Sequence, residues 1–354
     1  MTIANSGSFS MDQNRELAPL TTMGIGGRAR FFAEPASVAQ LVEAIKWARA
    51  HELRFFLLGG GSNLVFDDRG FDGLVIRLAL TGTRVLRDQG AHVLLEAAAG
   101  EVWDGLVALG VARNWGGLEC LSGIPGTVGA APIQNIGAYG QELSETVAGV
   151  RLLDLETLEP LFMERGQCRF AYRDSIFKGE ARGRFAVTAL HLKLTKNATA
   201  VIRYPDLEKR LPKDAPLSLV RETVLTVRRQ KAMVLDAADP NTRSCGSFFV
   251  NPVLSAAAYE AFLRRDPGPH PHFQADSGRI KLAAAWLIEQ AGFHKGYVQG
   301  RVGLSQKHCL AVINRGGGTS GEIHALVKTL QDGVLRRFGV ALVPEPQLVP
   351  YGPA

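Results

Sequence analysis

Residues 116–140 read GGLECLSGIPGTVGAAPIQNIGAYG, and this glycine-rich segment says more about the fold than any other part of the chain. It holds seven glycines and three alanines but neither Lys nor Arg. A flexible Gly/Ser linker would be polar throughout, whereas this segment has apolar anchors at Ile124, Val128, Ile133 and Ile136. Bare amides can hold a phosphate, and glycine lets a planar ring touch the backbone. The segment predicts a cofactor bed; a tightly packed run of turns is the alternative.

Size and composition predict a globular protein of two or three packed units, because a chain of 354 residues is longer than one ordinary hydrophobic core accommodates. Hydrophobic residues make up 46% of the chain. No apolar run approaches the ~18 residues that cross a bilayer, so we expect no membrane partner. The polar first sixteen residues lack the apolar core of a secretory signal and predict a flexible arm.

Cysteine spacing and charge limit the possible partners. Cys120, Cys168, Cys245 and Cys309 form no CxxC pair, which predicts reduced thiols, a cytoplasmic location and no metal site. The net charge is +6, but Lys and Arg are spread along the chain. This pattern favours anionic small molecules over nucleic acid, with ordinary surface charge as the alternative. Nothing in the sequence indicates an obligate protein partner.

Local signals mark several elements. Ser37 predicts the start of a helix that reaches about His51, and Thr319 with Glu322 predicts a capping box on the last long helix. We expect a buried strand over residues 307–313, another at about 340–343, and mainly connector and loop around 195–230, with a short helix from Arg221.

A second glycine run, Gly59–Asn63 or GGGSN, follows a predicted strand; we call it the first glycine loop. A Rossmann fingerprint does not fit, because Leu64 stands where the third glycine belongs and no acid follows about twenty residues later. The loop instead predicts a strand–turn–strand that approaches a pyrophosphate. A simple hairpin turn is the alternative.

Four motifs occur in order along the chain: LGGGSNL at 58–64, GIPGTVGAAPIQNIGAYGQE at 123–142, YRDSIFK at 172–178 and CGSFFVNP at 245–252. Together they resemble the UDP-N-acetylenolpyruvylglucosamine reductase family over about residues 17–350. These flavoenzymes complete UDP-N-acetylmuramate in bacterial peptidoglycan synthesis. The loop at Tyr204 and the length of the region after it resemble the type I branch.

The resemblance implies an α+β protein. Its FAD-binding fold is of the vanillyl-alcohol-oxidase type, with two subdomains, and a C-terminal α+β substrate-binding domain follows. The expected division is an arm at 1–16, FAD-binding subdomains at 17–72 and 73–200, a substrate-binding domain at 201–340, and a C-terminal segment at 341–354 that carries Glu345 back to the active site.

The resemblance also implies the cofactors, FAD and the hydride donor NADPH. Relatives of this fold tether flavin through a His or Cys where this chain has Ser62 and Asn63, so we expect FAD to bind without a covalent link. The implied cofactor-binding residues lie in the two glycine-rich regions: Gly59, Gly60, Gly61, Ser62, Asn63, Gly123, Ile124, Pro125, Gly126, Thr127, Gly129, Ala130, Gln134, Asn135, Gly137 and Tyr139.

Three catalytic residues follow from the same resemblance. Arg173 is expected to contact the substrate carboxylate, Glu345 to stabilise an enolate, and Ser247 to donate a proton. From residue type alone, a surface ion pair, a solvated acid and a turn serine are the ordinary interpretations. The implied residues for a nucleotide-sugar substrate are Tyr172, Tyr204, Lys231, Asn251 and His308, the last also readable as a core histidine.

Two other functions stay open at this point. One is a different flavin enzyme of the same fold, such as an oxidase of small alcohols or sugars. The other is a nucleotide-binding regulator without catalysis, against which the joint presence of Arg173, Ser247 and Glu345 argues.

Overall fold

The computed structural model describes residues 2–3 and 9–352, whose contacts group them into two compact units. The first unit draws on Met1–Arg15, Ala29–Gly61 and Asp72–Arg229, and the second on Glu16–Arg28, Ser62–Phe71 and Gln230–Ala354. Residues 201–229 therefore group with the first unit, whereas the sequence analysis assigns them to the substrate-binding domain.

The described α-helices are Val38–Ala50, Trp103–Ala112, Pro205–Glu208, Leu217–Gln230, Ala256–Arg265, Ala284–Gln290 and Ser320–Phe338. Ser37 Oγ caps the first by accepting the Gln40 N–H at 3.2 Å, as its sequence predicts. The predicted Thr319–Glu322 capping box starts the last helix, and Gly339 ends it in the left-handed region at φ +70°. No helix in the described ranges combines the length and the apolar character that a bilayer crossing requires.

The helix Leu217–Gln230 begins four residues before the short helix predicted from Arg221 and includes the end of the stretch predicted as a loop. Three valines at helical spacing, Val220, Val224 and Val227, are buried along one face. The opposite face is polar, and the mean hydropathy of the stretch is therefore low, which hides the helix from a search for apolar runs.

Two sheets build the first unit. The mixed sheet has the order Thr2–Ile3, Met11–Glu16, Arg28–Ala33, Gly70–Arg77 and Phe55–Leu58. The antiparallel sheet has the order Pro160–Glu164, Val147–Asp154, Phe185–Lys196, His92–Ala98 and Thr83–Gln89, and Trp115–Gly116 also pairs with Phe185–Lys196.

The prediction of a flexible arm over residues 1–16 is wrong for residues 11–16. Residues 11–16 form a sheet strand, and the Met11 side chain is buried in the core with Leu41 and Ile45. One buried apolar residue, followed by polar ones, is enough for a short strand that pairs within a sheet. Residue 1 and residues 4–8 of the predicted arm lie outside the described part of the chain.

The second unit contains two three-stranded sheets. One has the order Val253–Leu254, Ile280–Leu282 and His272–Gln274, and the other Val298–Gln299, Val302–Leu304 and Val312–Asn314. The last helix covers a core that includes Phe248, Leu287 and Leu330. The strand predicted over 307–313 begins only at Val312, and residues 340–343 form no strand.

The strands on either side of the first glycine loop do not pair with each other, so the hairpin alternative is wrong. Phe55–Leu58 pairs in parallel with Gly70–Arg77. Leu64–Phe66 pairs in parallel with the C-terminal strand Gln347–Val349. The loop therefore connects strands of two different sheets, and the strand that follows it pairs with the C-terminal strand.

Candidate active site

In the first unit, the first glycine loop lies directly against the glycine-rich segment. A Cβ built on Gly60 would lie 2.7 Å from the Cα of Gly126. One built on Gly59 would lie 2.8 Å from Thr127 Oγ1. Such an approach excludes side chains at both glycines. The two segments that the sequence predicts to hold a cofactor are therefore in contact.

The backbone amides of this contact divide into two groups. The N–H groups of Val128 and Gly129 donate to the carbonyl oxygens of Glu101 and Ala99 at 2.9 and 2.8 Å. Within residues 2–3 and 9–352, the N–H groups of Gly60, Gly126 and Thr127 donate no hydrogen bond. Native amides left without a protein acceptor usually meet water or a ligand. These uncharged donors fit the pyrophosphate of FAD.

Two other predicted cofactor residues, Gly129 and Asn135, have clear structural contacts within the protein. A Cβ on Gly129 would lie 2.6 Å from the Cβ of Ala99, so close packing alone explains this glycine. Asn135 is fully buried and holds three groups: its Nδ2 donates to Glu142 Oε2 and to the Ala171 carbonyl, and its Oδ1 accepts the Ser144 N–H.

The turn that carries Arg173 is fixed onto the glycine-rich segment. Ser175 Oγ donates to the Ile133 carbonyl and Arg173 Nη2 to the Gly137 carbonyl, both at 2.7 Å. Arg173 has φ +54° and Tyr139 φ +50°. Left-handed backbone in residues other than glycine costs about 1–3 kcal/mol and is concentrated at functional sites. The guanidinium is thus held in a specific place at the edge of the segment.

Loss of the Ser175 hydroxyl tests this docking. We expect Ser175→Ala to lower the free energy of unfolding by about 1–2 kcal/mol, because the side chain is buried and leaves the Ile133 carbonyl without its donor. Urea denaturation measures the change. Ser144→Ala is the control, since its hydroxyl makes no hydrogen bond within the described ranges; equal losses in both variants would contradict the interpretation.

Tyr139 and Tyr204 meet edge to face, with ring centroids 5.3 Å apart. Tyr204 packs in a core cluster that includes Leu207 and Leu211, so it lies with the predicted cofactor residues of the first unit. Burial raises the pKa of Tyr139 to about 12, although the nearby Arg228 acts to lower it. The ring of Tyr172 lies 5.4 Å from the Arg173 Cζ, within cation–π range.

In the second unit, the segments that carry Ser247 and Glu345 run side by side. The Glu345 N–H donates to the Phe248 carbonyl at 2.9 Å, and the Val250 N–H donates to the Val343 carbonyl at 3.0 Å. Phe248 is buried, whereas Ser247 and Glu345 are half-buried. The fold therefore brings two of the predicted catalytic residues together from distant parts of the sequence.

Asn63 joins the same group. Its carbonyl accepts the Gln347 N–H at 3.0 Å, and its Nδ2 donates to the Glu345 carbonyl at 3.4 Å. Thr22 Oγ1 contacts the carbonyl oxygens of Ser244 and Ser62 at 2.6 and 3.4 Å. The sequence pattern did not predict Thr22 as a site residue, although the glycines in Gly-Ile-Gly-Gly at 24–27 indicate a close backbone approach nearby.

Asn251, predicted as a substrate residue, makes a structural hydrogen bond. Its Oδ1 accepts the N–H of Ala284 at 2.9 Å. The N-cap residue of the helix Ala284–Gln290 is Ala283, which offers no side-chain acceptor. Asn251 therefore caps this helix from a neighbouring loop, and a substrate contact stays a prediction.

The predicted diphosphate residues Lys231 and His308 lie within electrostatic range of each other, together with Lys295. Burial, together with the positive charges of both lysines, lowers the pKa of His308 to about 4. His308 lies in the turn before Val312–Asn314, not at the start of a strand. Lys295 was missed because one lysine in a loop has no distinguishing sequence context.

The depressed pKa of His308 predicts a specific loss of stability in acid. Its value falls from 6.5 to about 4 on folding, so the unfolded chain takes up a proton first as the pH drops. Stability present above pH 6.5 is lost toward pH 4, by at most about 3 kcal/mol. We expect His308→Gln to flatten this part of the curve of unfolding free energy against pH. The control is His272→Gln, because His272 is exposed and its loss should leave the slope of this curve unchanged. An unchanged slope in His308→Gln would contradict the assignment.

Comparison with known proteins decides the family. A model of the FAD binding domain matches residues 29–157, and a model of the C-terminal domain of UDP-N-acetylenolpyruvoylglucosamine reductase matches residues 239–349. The UDP-N-acetylenolpyruvoylglucosamine reductase of Thermobifida fusca (strain YX) is 44% identical over 351 residues, covering 96% of this chain and 98% of that protein. This chain belongs to the UDP-N-acetylenolpyruvoylglucosamine reductase family. The family member of Mycobacterium avium (strain 104) is 41% identical, with 94% of each chain covered.

A solved structure of the same family supports the fold. The crystal structure of UDP-N-acetylenolpyruvylglucosamine reductase from Thermus caldophilus matches with a TM-score of 0.66 over 99% of this chain and 100% of that one, at 23% identity. The predicted family and the predicted fold class, an α+β FAD-binding fold with a C-terminal domain, are confirmed. The chain is an FAD-dependent oxidoreductase. The roles of its individual site residues stay predictions.

Proposed function

We propose that this protein reduces UDP-N-acetylglucosamine enolpyruvate to UDP-N-acetylmuramate, a step in making peptidoglycan precursors, with NADPH as hydride donor and noncovalent FAD. The observation that carries the proposal is the identity of 44% over 96% of the chain with a reductase named for this substrate. The backbone pairing of the Ser247 and Glu345 segments supports the proposal, because it brings a segment with a hydroxyl group next to one with a carboxyl group. Four free cysteine thiols fit a reducing compartment, and we propose the cytoplasm.

The first unit would hold the cofactor. When bound, FAD carries the hydride from NADPH to the enolpyruvyl double bond. The amides of Gly60, Gly126 and Thr127 would receive its pyrophosphate, since uncharged N–H groups bind phosphate oxygens without a cationic side chain. Ser62 and Asn63 form no covalent bond to flavin in this proposal.

The remaining steps belong to side chains of this protein. Arg173 would bind the substrate carboxylate through its planar fork of donors. As hydride reaches the β-carbon, negative charge gathers at the α-carbon and in the carboxylate, where Arg173 and Glu345 would stabilise it. Ser247 would then give its hydroxyl proton to the α-carbon, which completes the lactyl ether.

The nucleotide would be held at its charged centre. Lys231 and Lys295 offer positive charge to the diphosphate, and the neutral His308 offers a ring nitrogen for hydrogen bonding. Tyr172 and Tyr204 supply aromatic surface, and Asn251 a polar contact, for the remainder of the nucleotide sugar.

One spectroscopic experiment tests the function. The purified protein should be yellow, should bleach with NADPH under nitrogen, and should regain its colour when the enolpyruvyl nucleotide is added. Rapid reoxidation in air without the nucleotide would instead favour an oxidase. A protein that stays colourless after addition of FAD would favour a regulator without catalysis.

A further inference from the structure

Gly123, in the glycine-rich segment, has both of its backbone polar groups hydrogen-bonded to charged side chains. Its N–H donates to Asp104 Oδ1 at 2.6 Å. Its carbonyl accepts from Arg228 Nη2 at 3.2 Å. Gly123 is buried and has φ +72°, a conformation that non-glycine residues adopt only at a cost. These two hydrogen bonds therefore hold an unusual backbone conformation three residues before Gly126.

Asp104 is itself held in place. Arg221 reaches both of its oxygens, with Nη1 to Oδ1 at 2.6 Å and Nη2 to Oδ2 at 2.8 Å. Asp104 lies in the first turn of the helix Trp103–Ala112, whose first residue donates its N–H to the Gly126 carbonyl at 3.1 Å. Burial acts to raise the pKa of Asp104, but Arg221 and the Gly123 N–H outweigh it and lower the pKa, so the group is a carboxylate.

The two arginines come from one helix face. Arg221 and Arg228 are seven residues apart in Leu217–Gln230, which places them two turns apart on the same side. Arg228 is half-buried, and burial together with the nearby Arg173 lowers its pKa against the raising effect of Tyr139 and Asp104. A single helix thus supplies one cation to the Gly123 carbonyl and another to the carboxylate that accepts the Gly123 N–H.

We propose that Asp104, Arg221 and Arg228 form a clamp that positions the amides of Gly126 and Thr127 for the FAD pyrophosphate. The inference rests on the proposed function. Asp104 alone would repel an anion bound at the glycine-rich segment. Its fork with Arg221 cancels that charge, so the clamp keeps the orienting hydrogen bond to Gly123 while Arg228 leaves the region net positive. Asp104 and Arg221 act through the backbone and are positioning residues.

Arg221→Gln tests the clamp, because it leaves the Asp104 carboxylate close to the anion without its counter-charge. We expect the dissociation constant of FAD to rise about tenfold or more, since a hydrogen bond to a charged group contributes about that factor to an equilibrium constant. Arg221→Lys, which keeps the charge but loses the fork, should give a smaller change. Adding Asp104→Asn to Arg221→Gln should recover part of the affinity by removing the exposed carboxylate.

The matched control is Arg184→Gln. Arg184 also forms a two-nitrogen ion pair, with Asp154 Oδ2 at 3.2 and 3.1 Å, and Asp154 likewise accepts a backbone N–H, from Glu156. Asp154 is the last residue of the strand Val147–Asp154, and Arg184 directly precedes the strand Phe185–Lys196. Arg184→Gln should cost stability without changing the dissociation constant of FAD, measured by flavin fluorescence well below the unfolding temperature.

Three outcomes decide the inference. Arg221→Gln binding FAD within twofold of the parent, or no more weakly than Arg184→Gln, overturns it. If Arg221→Gln did not fold, Arg221→Lys with unchanged affinity would overturn it equally, and weaker affinity would support it. A parent protein that does not bind FAD would overturn the proposed function and the clamp with it, so the two failures are distinguishable.

Discussion

Replacing Ser247 by alanine is expected to stall reduction of the enolpyruvyl nucleotide while leaving reduction of the bound flavin by NADPH unchanged. Positioned proton donors typically contribute 10²–10⁴-fold, so we expect the rate of the second half-reaction to fall by about that range. The effect is specific because the hydroxyl is needed only after hydride transfer. Its segment is held by Phe248, whose carbonyl accepts the Glu345 N–H, and this contact does not involve the hydroxyl.

Stopped-flow absorbance of the flavin separates the two half-reactions of the Ser247→Ala variant. Ser255→Ala is the control, because Ser255 caps the helix Ala256–Arg265 in the same unit through an accepted hydrogen bond from the Ala258 N–H. That variant should lose about 1 kcal/mol of stability and keep both rates. Full turnover of the enolpyruvyl substrate by Ser247→Ala would remove the assigned proton donor.

Arg173→Gln is expected to lower kcat/KM for the enolpyruvyl nucleotide by about 10²–10³-fold, the usual cost of losing a group that stabilises developing negative charge. Lysine at this position keeps the charge but cannot form the planar fork, so Arg173→Lys should recover only part of the loss. The flavin should still be reduced by NADPH, since the guanidinium is assigned to the substrate carboxylate.

A nearby arginine offers a matched control. Arg169 lies in the same region, also has positive φ at +48°, and pairs with the exposed Glu180 at 2.7 Å. Exposed ion pairs contribute about 0–1 kcal/mol, so Arg169→Gln should leave kcat/KM unchanged. Steady-state kinetics on both variants decide the matter: if they lose activity equally, the role given to Arg173 is wrong.

The elements that sequence predicted well have local causes. The helices at Ser37 and Thr319 begin with a side chain that hydrogen bonds the backbone three residues away, and Gly339 ends the last helix. These interactions involve neighbours in sequence, so they can be recognised without tertiary structure. The glycine-rich segment was recognisable from its composition, and the tertiary approach between Gly60 and Gly126 explains why glycine is required there.

The errors have non-local causes. The strand Met11–Glu16 exists because it pairs within a sheet, and polar residues at its exposed positions gave no sign of this. Residues 340–343 read VALV, a short apolar run that predicts a strand, but the actual strand is Gln347–Val349, which pairs with Leu64–Phe66. Strand pairing depends on which edge is within reach, and sequence patterns do not contain that information.

The candidate residues were found through their motifs, but their arrangement was not. Asp104 and Arg221 carry no motif, and their pairing is visible only once two helices pack. Tyr204, predicted as a substrate residue, packs on Tyr139, a contact that no sequence motif indicated. Lys295 joined Lys231 and His308 only through the folding of its loop.

The sequence was enough to determine the family and the starts of the helices Val38–Ala50 and Ser320–Phe338, because their capping hydrogen bonds act over a few residues. Only the tertiary structure shows that the segments carrying Ser247 and Glu345 lie side by side, and that Gly123 is held by Asp104 and Arg228. Those contacts join segments far apart in the chain, and their energies depend on burial and charge pairing that exist only in the folded protein.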